Sequence, residues 1–290
     1  VPVAGRGAAH PGPESKKGRH SSVVYSDDQQ WAEHLGVFVR DGLEKGEQIH
    51  YFADTTAPER VLGALADAGI DGAGAMARGQ LSVSVAARTY LAGSTFDPDA
   101  MIGLWFDTVE AARASGYRGA RVVGEMSWAA RDIAGADRLL EYELRLHEEV
   151  FAHLPLTAWC FYDRRLMSPA YADVLAGAHV THRGEPYGVP ALRVAPLTDR
   201  PGLLMSGSAG YDTREAVAAA AAVLSGAAPR MELDLAALRH LDAASLATLA
   251  YAAAGRQGGA PLKVRQAPSP LRRLLQLFPE LDSVVEVVDR

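Results

Sequence analysis

The chain has 290 residues, 48% of them hydrophobic and 22% charged, which supplies enough apolar material for two domains with real cores rather than a disordered tail. Lys and Arg number 29 against 35 Asp and Glu, and the formal net charge of −6 sets up a field that opposes nucleic acid, so no direct nucleic-acid binding is expected. The lone cysteine, Cys160, excludes an intramolecular disulfide, and no apolar run approaches the roughly 20 residues that span a bilayer, so the sequence reads as a bacterial-type cytoplasmic protein without a membrane segment.

Residues 1–19 are rich in Pro, Gly and basic side chains and have neither an apolar period nor a secretory h-region, which predicts a flexible tail. From His20 the pattern alternates strand with helix. Ser22 to Tyr25 reads as a strand. Trp31, Leu35, Phe38, Val39 and Leu43 then recur at helical spacing over residues 27–45, with Asp27 as cap and Gly46 as stop. Further strands are predicted at Gln48 to Ala53, Leu81 to Val85, Ala120 to Gly124 and Thr157 to Phe161. Helices are predicted from Pro58 to Ala68, from Pro98 (capped by Asp97) to near Gly116, over about Asp137 to His153, and from Pro169 to Ala176. Mostly apolar strands in regular alternation with helices indicate a parallel sheet covered on both faces.

Chemistry-bearing residues concentrate in three places: Glu125 and Trp128 after one strand, Tyr142-Glu143 on the next helix, and Cys160-Phe161-Tyr162-Asp163 at the end of the next strand. All three are expected at the carboxyl edge of the sheet, where open α/β sheets bind ligands. Each residue also has a structural reading. Glu125 and Glu143 can pair with Arg121 and Arg145, the aromatics can be core, and Cys160 reads as a buried small hydrophobe. His179 and His182 have metal-ligand spacing, but the flanking Gly177 and Gly184 suggest a loop and no thiol or second pair stands nearby in sequence, so no metal is assigned.

His20, Gly42-Leu43 with Gly46-Glu47, Gly79-Gln80-Leu81, Tyr90, Gly124-Glu125-Met126 with Trp128, Tyr142-Glu143, Cys160 with Tyr162-Asp163, and His179 together resemble the MEDS family of sensory domains over about His20 to Gly184. The resemblance implies a RecA/KaiC-like core and a ligand- or signal-sensing role, with His20, Glu125, Trp128, Tyr142, Glu143, Tyr162 and Asp163 as candidate ligand-binding residues. A phosphate-cradling G-x-x-x-x-G-K-[ST] run is absent from the chain, and Ser26-Asp27-Asp28 is acidic where a triphosphate needs donors, so neither ATP hydrolysis nor a cofactor is expected.

Residues 185–190, within the Gly- and Pro-rich RGEPYGVP, predict a short stiff connection to a second α/β domain over 191–290. There Leu192 to Ala195, Leu203 to Met205, Leu262 to Val264 and Val284 to Val288 read as strands, and Asp212 to Leu224 and Pro270 to Phe278 as helices. Between them, six residues carrying Met231, Leu233 and Leu235 form a strand, and Asp242 caps a helix from Ala243 to about Ala254. Strand, loop and Asp242-Ala243-Ala244-Ser245-Leu246 resemble the STAS fold of anti-sigma factor antagonists, in which an Asp-Ser-Ser-Gly-Leu stretch carries the phosphoacceptor. Ala244 stands at that position and has no oxygen to accept phosphate; the switch is either lost or moved to Ser245. The resemblance implies an anti-sigma factor or related regulatory kinase as partner, beside an unidentified small-molecule ligand, and is compatible with a homodimer. The resulting expectation is a non-enzymatic signalling protein. The alternative is an enzyme that works on a small substrate with Glu125, Glu143 and Asp163.

Overall fold

A computed structural model of the chain describes residues 18–226, 231–256 and 261–288. The tail expected over residues 1–19 lies outside the described residues as far as residue 17, and Arg19 already belongs to the first strand.

The first domain runs β1 (Arg19–Tyr25), α1 (Asp28–Lys45), β2 (Gln48–Ala53), α2 (Pro58–Asp67), α3 (Gly72–Ala77), β3 (Leu81–Val85), α4 (Pro98–Ala114), β4 (Ala120–Glu125), α5 (Leu139–Leu146), β5 (Leu156–Asp163), α6 (Pro169–Gly177) and β6 (Thr181–Gly184). Its six strands are all parallel, in the order β3-β2-β4-β5-β1-β6. The ends of α1 follow from its sequence. The Asp27 carboxylate accepts the Gln30 N–H at 2.8 Å, and Gly46 takes the left-handed conformation (φ 66°) that returns its N–H to the Gly42 and Leu43 carbonyls.

Strand side chains alternate between two apolar layers. On one face Val23, Tyr51, Val123, Trp159 and Phe161 meet Trp31, Leu35 and Phe38 of α1 and Val61 and Leu65 of α2. On the other, Val122, Ala158, Cys160 and Tyr162 meet Met101 and Trp105 of α4, Leu140 and Leu144 of α5, and Leu175 of α6.

The second domain runs β7 (Leu192–Pro196), β8 (Gly202–Ala209), α7 (Arg214–Gly226), β9 (Glu232–Leu241), α8 (Ala243–Ala254), β10 (Leu262–Arg265), α9 (Ser269–Leu277) and β11 (Val285–Val288). Its sheet has the order β11-β10-β9-β8-β7 and is parallel except for the antiparallel pair β7 and β8. Helices α5 and α6 pack against α7 and β7, and the α4–α5 core layer continues without interruption into the second domain through Leu192, Val194, Ala216 and Val217.

Candidate functional site

A cavity of about 30 Å³ lies between the sheet and helices α4 and α5. Phe52, Tyr90, Phe96, Trp105, Trp128 and Tyr142 wall it, and the Trp105 indole N–H donates to the Tyr142 hydroxyl at 2.7 Å. The space exceeds the ~10–15 Å³ that one water occupies. His20 and Cys160 also line it, and both are buried.

Behind those two lie Glu143 of α5 and His179, which follows α6. His20 Nε2 is 3.1 Å from Glu143 Oε2 and 3.3 Å from Cys160 Sγ, and His179 Nε2 is 3.5 Å from Glu143 Oε2. The Tyr162 hydroxyl donates to Glu143 Oε1 at 2.9 Å. His179 Nδ1 donates to the Leu175 carbonyl at 2.9 Å, which leaves Nε2 with a lone pair, buried and without a hydrogen bond. Burial, with the His147 imidazole near it, pushes His20 down to about 3, and burial with His20 beside it does the same to His179. Burial raises the Glu143 carboxyl and pushes the Cys160 thiol well up. Burial thus works against an ion pair at the short His–Glu contacts, favouring the neutral imidazoles and the protonated acid.

Glu125 and Asp163 sit apart from this group. They lie on the α1 face of the sheet, as strand alternation requires, while Gly124 and Cys160 line the cavity on the opposite face. Glu125 accepts the Tyr51 hydroxyl at 2.5 Å and the backbone N–H groups of Asp54, Thr55 and Thr56 at 2.7, 3.0 and 3.2 Å. Its own carboxylate thus fills an anion nest at the end of β2. Asp163 is held by the backbone and guanidinium of Arg165. Glu125 and Asp163 do end β4 and β5 at the carboxyl edge, but the three places do not converge there on one site: the cavity lies against the opposite sheet face, with His20 near the start of β1. The expected arginine pairings also fail. Arg121 bonds Asp41, Glu47 and the Phe38 carbonyl, and Arg145 bonds Glu141, Glu149 and Asp99.

In the second domain the Asp242 carboxylate accepts the Ser245 N–H at 2.7 Å and caps α8. Ala244 is exposed in the first turn, and Ser245 is 1% exposed. A wider cleft of about 700 Å³ opens between the domains near Arg131, Asp173, Asp212 and Glu215, and none of the sequence-predicted site residues lines it.

A family profile described as MEDS, MEthanogen/methylotroph, DcmR Sensory domain, matches residues 19–183, more than half of the chain. The chain belongs to the MEDS family. A second profile, described as Mlab, STAS domain, matches residues 195–285, so the MEDS domain is followed by a STAS domain. No curated protein matches the chain. Among solved structures it is similar to the KaiC-like protein PH0186 of the hyperthermophilic archaeon Pyrococcus horikoshii OT3, at 13% identity and a TM-score of 0.39, covering 61% of this chain and 72% of that one. It is also similar to the DUF1998 helicase MrfA bound to DNA and AMPPNP, at 11% identity and a TM-score of 0.33, covering 93% of this chain and 39% of that one. At those scores neither likeness carries an argument about ligand or activity.

Of the sequence-predicted residues, the MEDS fold brings together His20, Trp128, Tyr142, Glu143 and Tyr162, and sets Glu125 and Asp163 elsewhere. That Cys160 and His179 belong to one group has no local signal, because the spacing of His179 pairs it in sequence with His182. His182 turns away: its Nε2 donates to the Glu185 carbonyl at 2.6 Å and its Nδ1 accepts from Ser22 at 2.9 Å. Phe96, Met101 and Trp105 were also missed, and their signal was the helical spacing of Met101 and Trp105 on α4.

Proposed function

We propose that this chain is a non-enzymatic regulatory protein of the cytoplasm: the MEDS domain senses a small, largely apolar molecule, and the STAS domain transmits the result through protein contacts. The observation that carries the reading is the position of α5. Tyr142 of this helix walls the cavity, Glu143 stands behind it, and the helix packs on α7 of the STAS domain. Occupancy of the cavity therefore bears on an element that the second domain also touches. The aromatic walls favour an apolar ligand, and the scattered carboxylates Glu125, Glu143 and Asp163 supply no acid/base pair for turnover. The MEDS core is read as a RecA/KaiC-like scaffold without nucleotide chemistry, since its β2 nest is filled by Glu125 and Asp28 at the start of α1 is engaged by Arg60 and Arg165.

The STAS partner is an anti-sigma factor or related regulatory kinase, and the exposed Ala244 makes that contact independent of phosphorylation. The reading is tested with a panel of small apolar molecules, by thermal stabilisation and by mass analysis of the recovered ligand. A binder returned intact is expected, and Gly124→Ala, whose added Cβ enters the cavity wall 3.4 Å from Met126 Sδ, is expected to weaken it at least tenfold with little change in Tm. Chemical conversion of the ligand, or unchanged affinity in Gly124→Ala, overturns the sensing site as drawn.

A further inference from the structure

We infer that His20, Glu143, Cys160 and His179 form a tetrahedral site for a divalent transition metal ion of borderline softness, such as Zn²⁺. The inference goes beyond the sensing reading and stands without it. The four donor atoms lie within 4.8 Å of one another and all four residues are buried. Zinc bonds of about 2.0–2.1 Å to nitrogen or oxygen and 2.3 Å to sulfur place tetrahedral donors about 3.3 Å apart, and about 3.6 Å for a pair that includes sulfur. Four of the six separations are 3.1 Å (His20 to Glu143), 3.3 Å (His20 to Cys160), 3.5 Å (His179 to Glu143) and 3.8 Å (Cys160 to Glu143), and the pairs of His179 with His20 and Cys160 lie within 4.8 Å, so that a small inward shift of His179 closes the tetrahedron.

A hydrogen-bonded polar cluster alone leaves one atom unexplained. His179 Nε2 is buried, aimed at Glu143, and makes no hydrogen bond, while its Nδ1–H is tied to the Leu175 carbonyl. An outward bond of that kind fixes the tautomer and ring orientation of metal-ligating histidines. Tyr162 likewise holds the second oxygen of Glu143 and leaves Oε2 for the ion. Charge points the same way. A thiolate, a carboxylate and two neutral imidazoles around a divalent cation sum to zero, whereas either anion alone in this buried layer carries an uncompensated desolvation cost. With all four positions supplied by the protein, the site is structural. It ties β1, β5, α5 and the end of α6, and so fastens to the sheet the two helices that bear the STAS domain.

The test uses the tag-free full-length chain, first as purified, for metal content, and then stripped with chelator and titrated with Zn²⁺ or Co²⁺. One equivalent per chain is expected, with a higher Tm on loading. The Co²⁺ form should show the intense visible bands of a tetrahedral site and a thiolate-to-cobalt charge-transfer band, which in this chain can come only from Cys160. Cys160→Ala should lose the charge-transfer band and bind at least tenfold more weakly; His179→Gln should also bind at least tenfold more weakly but keep the band in whatever Co²⁺ it takes up, whereas His182→Ala should load like the parent. A folded, stripped chain that takes up neither ion overturns the inference. So does Co²⁺ bound without the charge-transfer band, which needs no variant to fold.

Discussion

Glu125 accepts four hydrogen bonds from Tyr51 and from the three residues that turn the chain out of β2. An amide in its place keeps the shape but gives up the negative charge and turns N–H groups toward donors. Glu125→Gln is therefore expected to lower stability by about 1.5–3 kcal/mol in urea unfolding and to leave occupancy of the cavity on the opposite face unchanged. A Glu125→Gln protein of parental stability shows that the nest does not depend on the charge. The proposed independence of the STAS contact from phosphorylation also rests on single residues. A phosphoryl group needs a reachable hydroxyl, yet Ser245 is 1% exposed and exposed Ala244 offers none. Incubation with ATP and kinases of the anti-sigma type should leave the intact mass unchanged, and Ala244→Ser should allow one phosphate to be added; modification of the parent at Ser245 contradicts the reading. At this scale the sequence was legible where a residue acts on its own neighbours, as Asp242 does. It was opaque where partners stand far apart, since Cys160 and His20 are 140 positions distant and meet only because β1 pairs with β5.

Elements with strong end signals could be read closely from sequence. Asp97 with Pro98 starts α4, and Asp242 starts α8, because a side-chain acceptor meets N–H groups that the first turn leaves free. Elements held by tertiary pairing were not. Helix α3 is only the six residues GAGAMA, too glycine-rich for a propensity signal. Strand β6, which Gly177 and Gly184 mark as a loop in the sequence, adds in parallel to β1, with Ser21 opposite Thr181. Strand β9 runs on to Leu241, beyond the alternation of Met231, Leu233 and Leu235, through two register shifts against β8. The cap of α8 is open to experiment. The Ser245 N–H holds the Asp242 carboxyl below its ordinary 3.8, so the folded state favours the ionised form. Its stabilising contribution is complete above that ordinary value and is lost as pH falls through the lower folded value. Asp242→Ala is expected to lower Tm by a few degrees at neutral pH and by less in acid, and a Tm difference that grows on acidification rules out this account.

Across the molecule, the boundary that composition marks at residues 185–190 separates two sheets but does not separate two cores. Glu185 is already tied back to Ser26 and Gln30, and beyond the connection Leu192 and Val194 enter the same apolar layer as Trp105 and Leu144. A contact between two hydrophobic faces of α5 and α7 opposes independent motion of the domains. This continuity has a measurable consequence for signalling. A molecule or ion that binds only the folded MEDS domain stabilises that domain by mass action, and where unfolding is shared the protection extends to whatever unfolds with it. Hydrogen exchange followed by mass spectrometry, with and without saturating Zn²⁺ or a cavity ligand, should therefore show slower exchange in α5 and α6 and also in α7, while the exposed first turn of α8 is unchanged. Protection that stops at residue 184 would leave the STAS domain uncoupled, and the transmission of the sensor's state through α5 would have to be abandoned even if the ligand is bound.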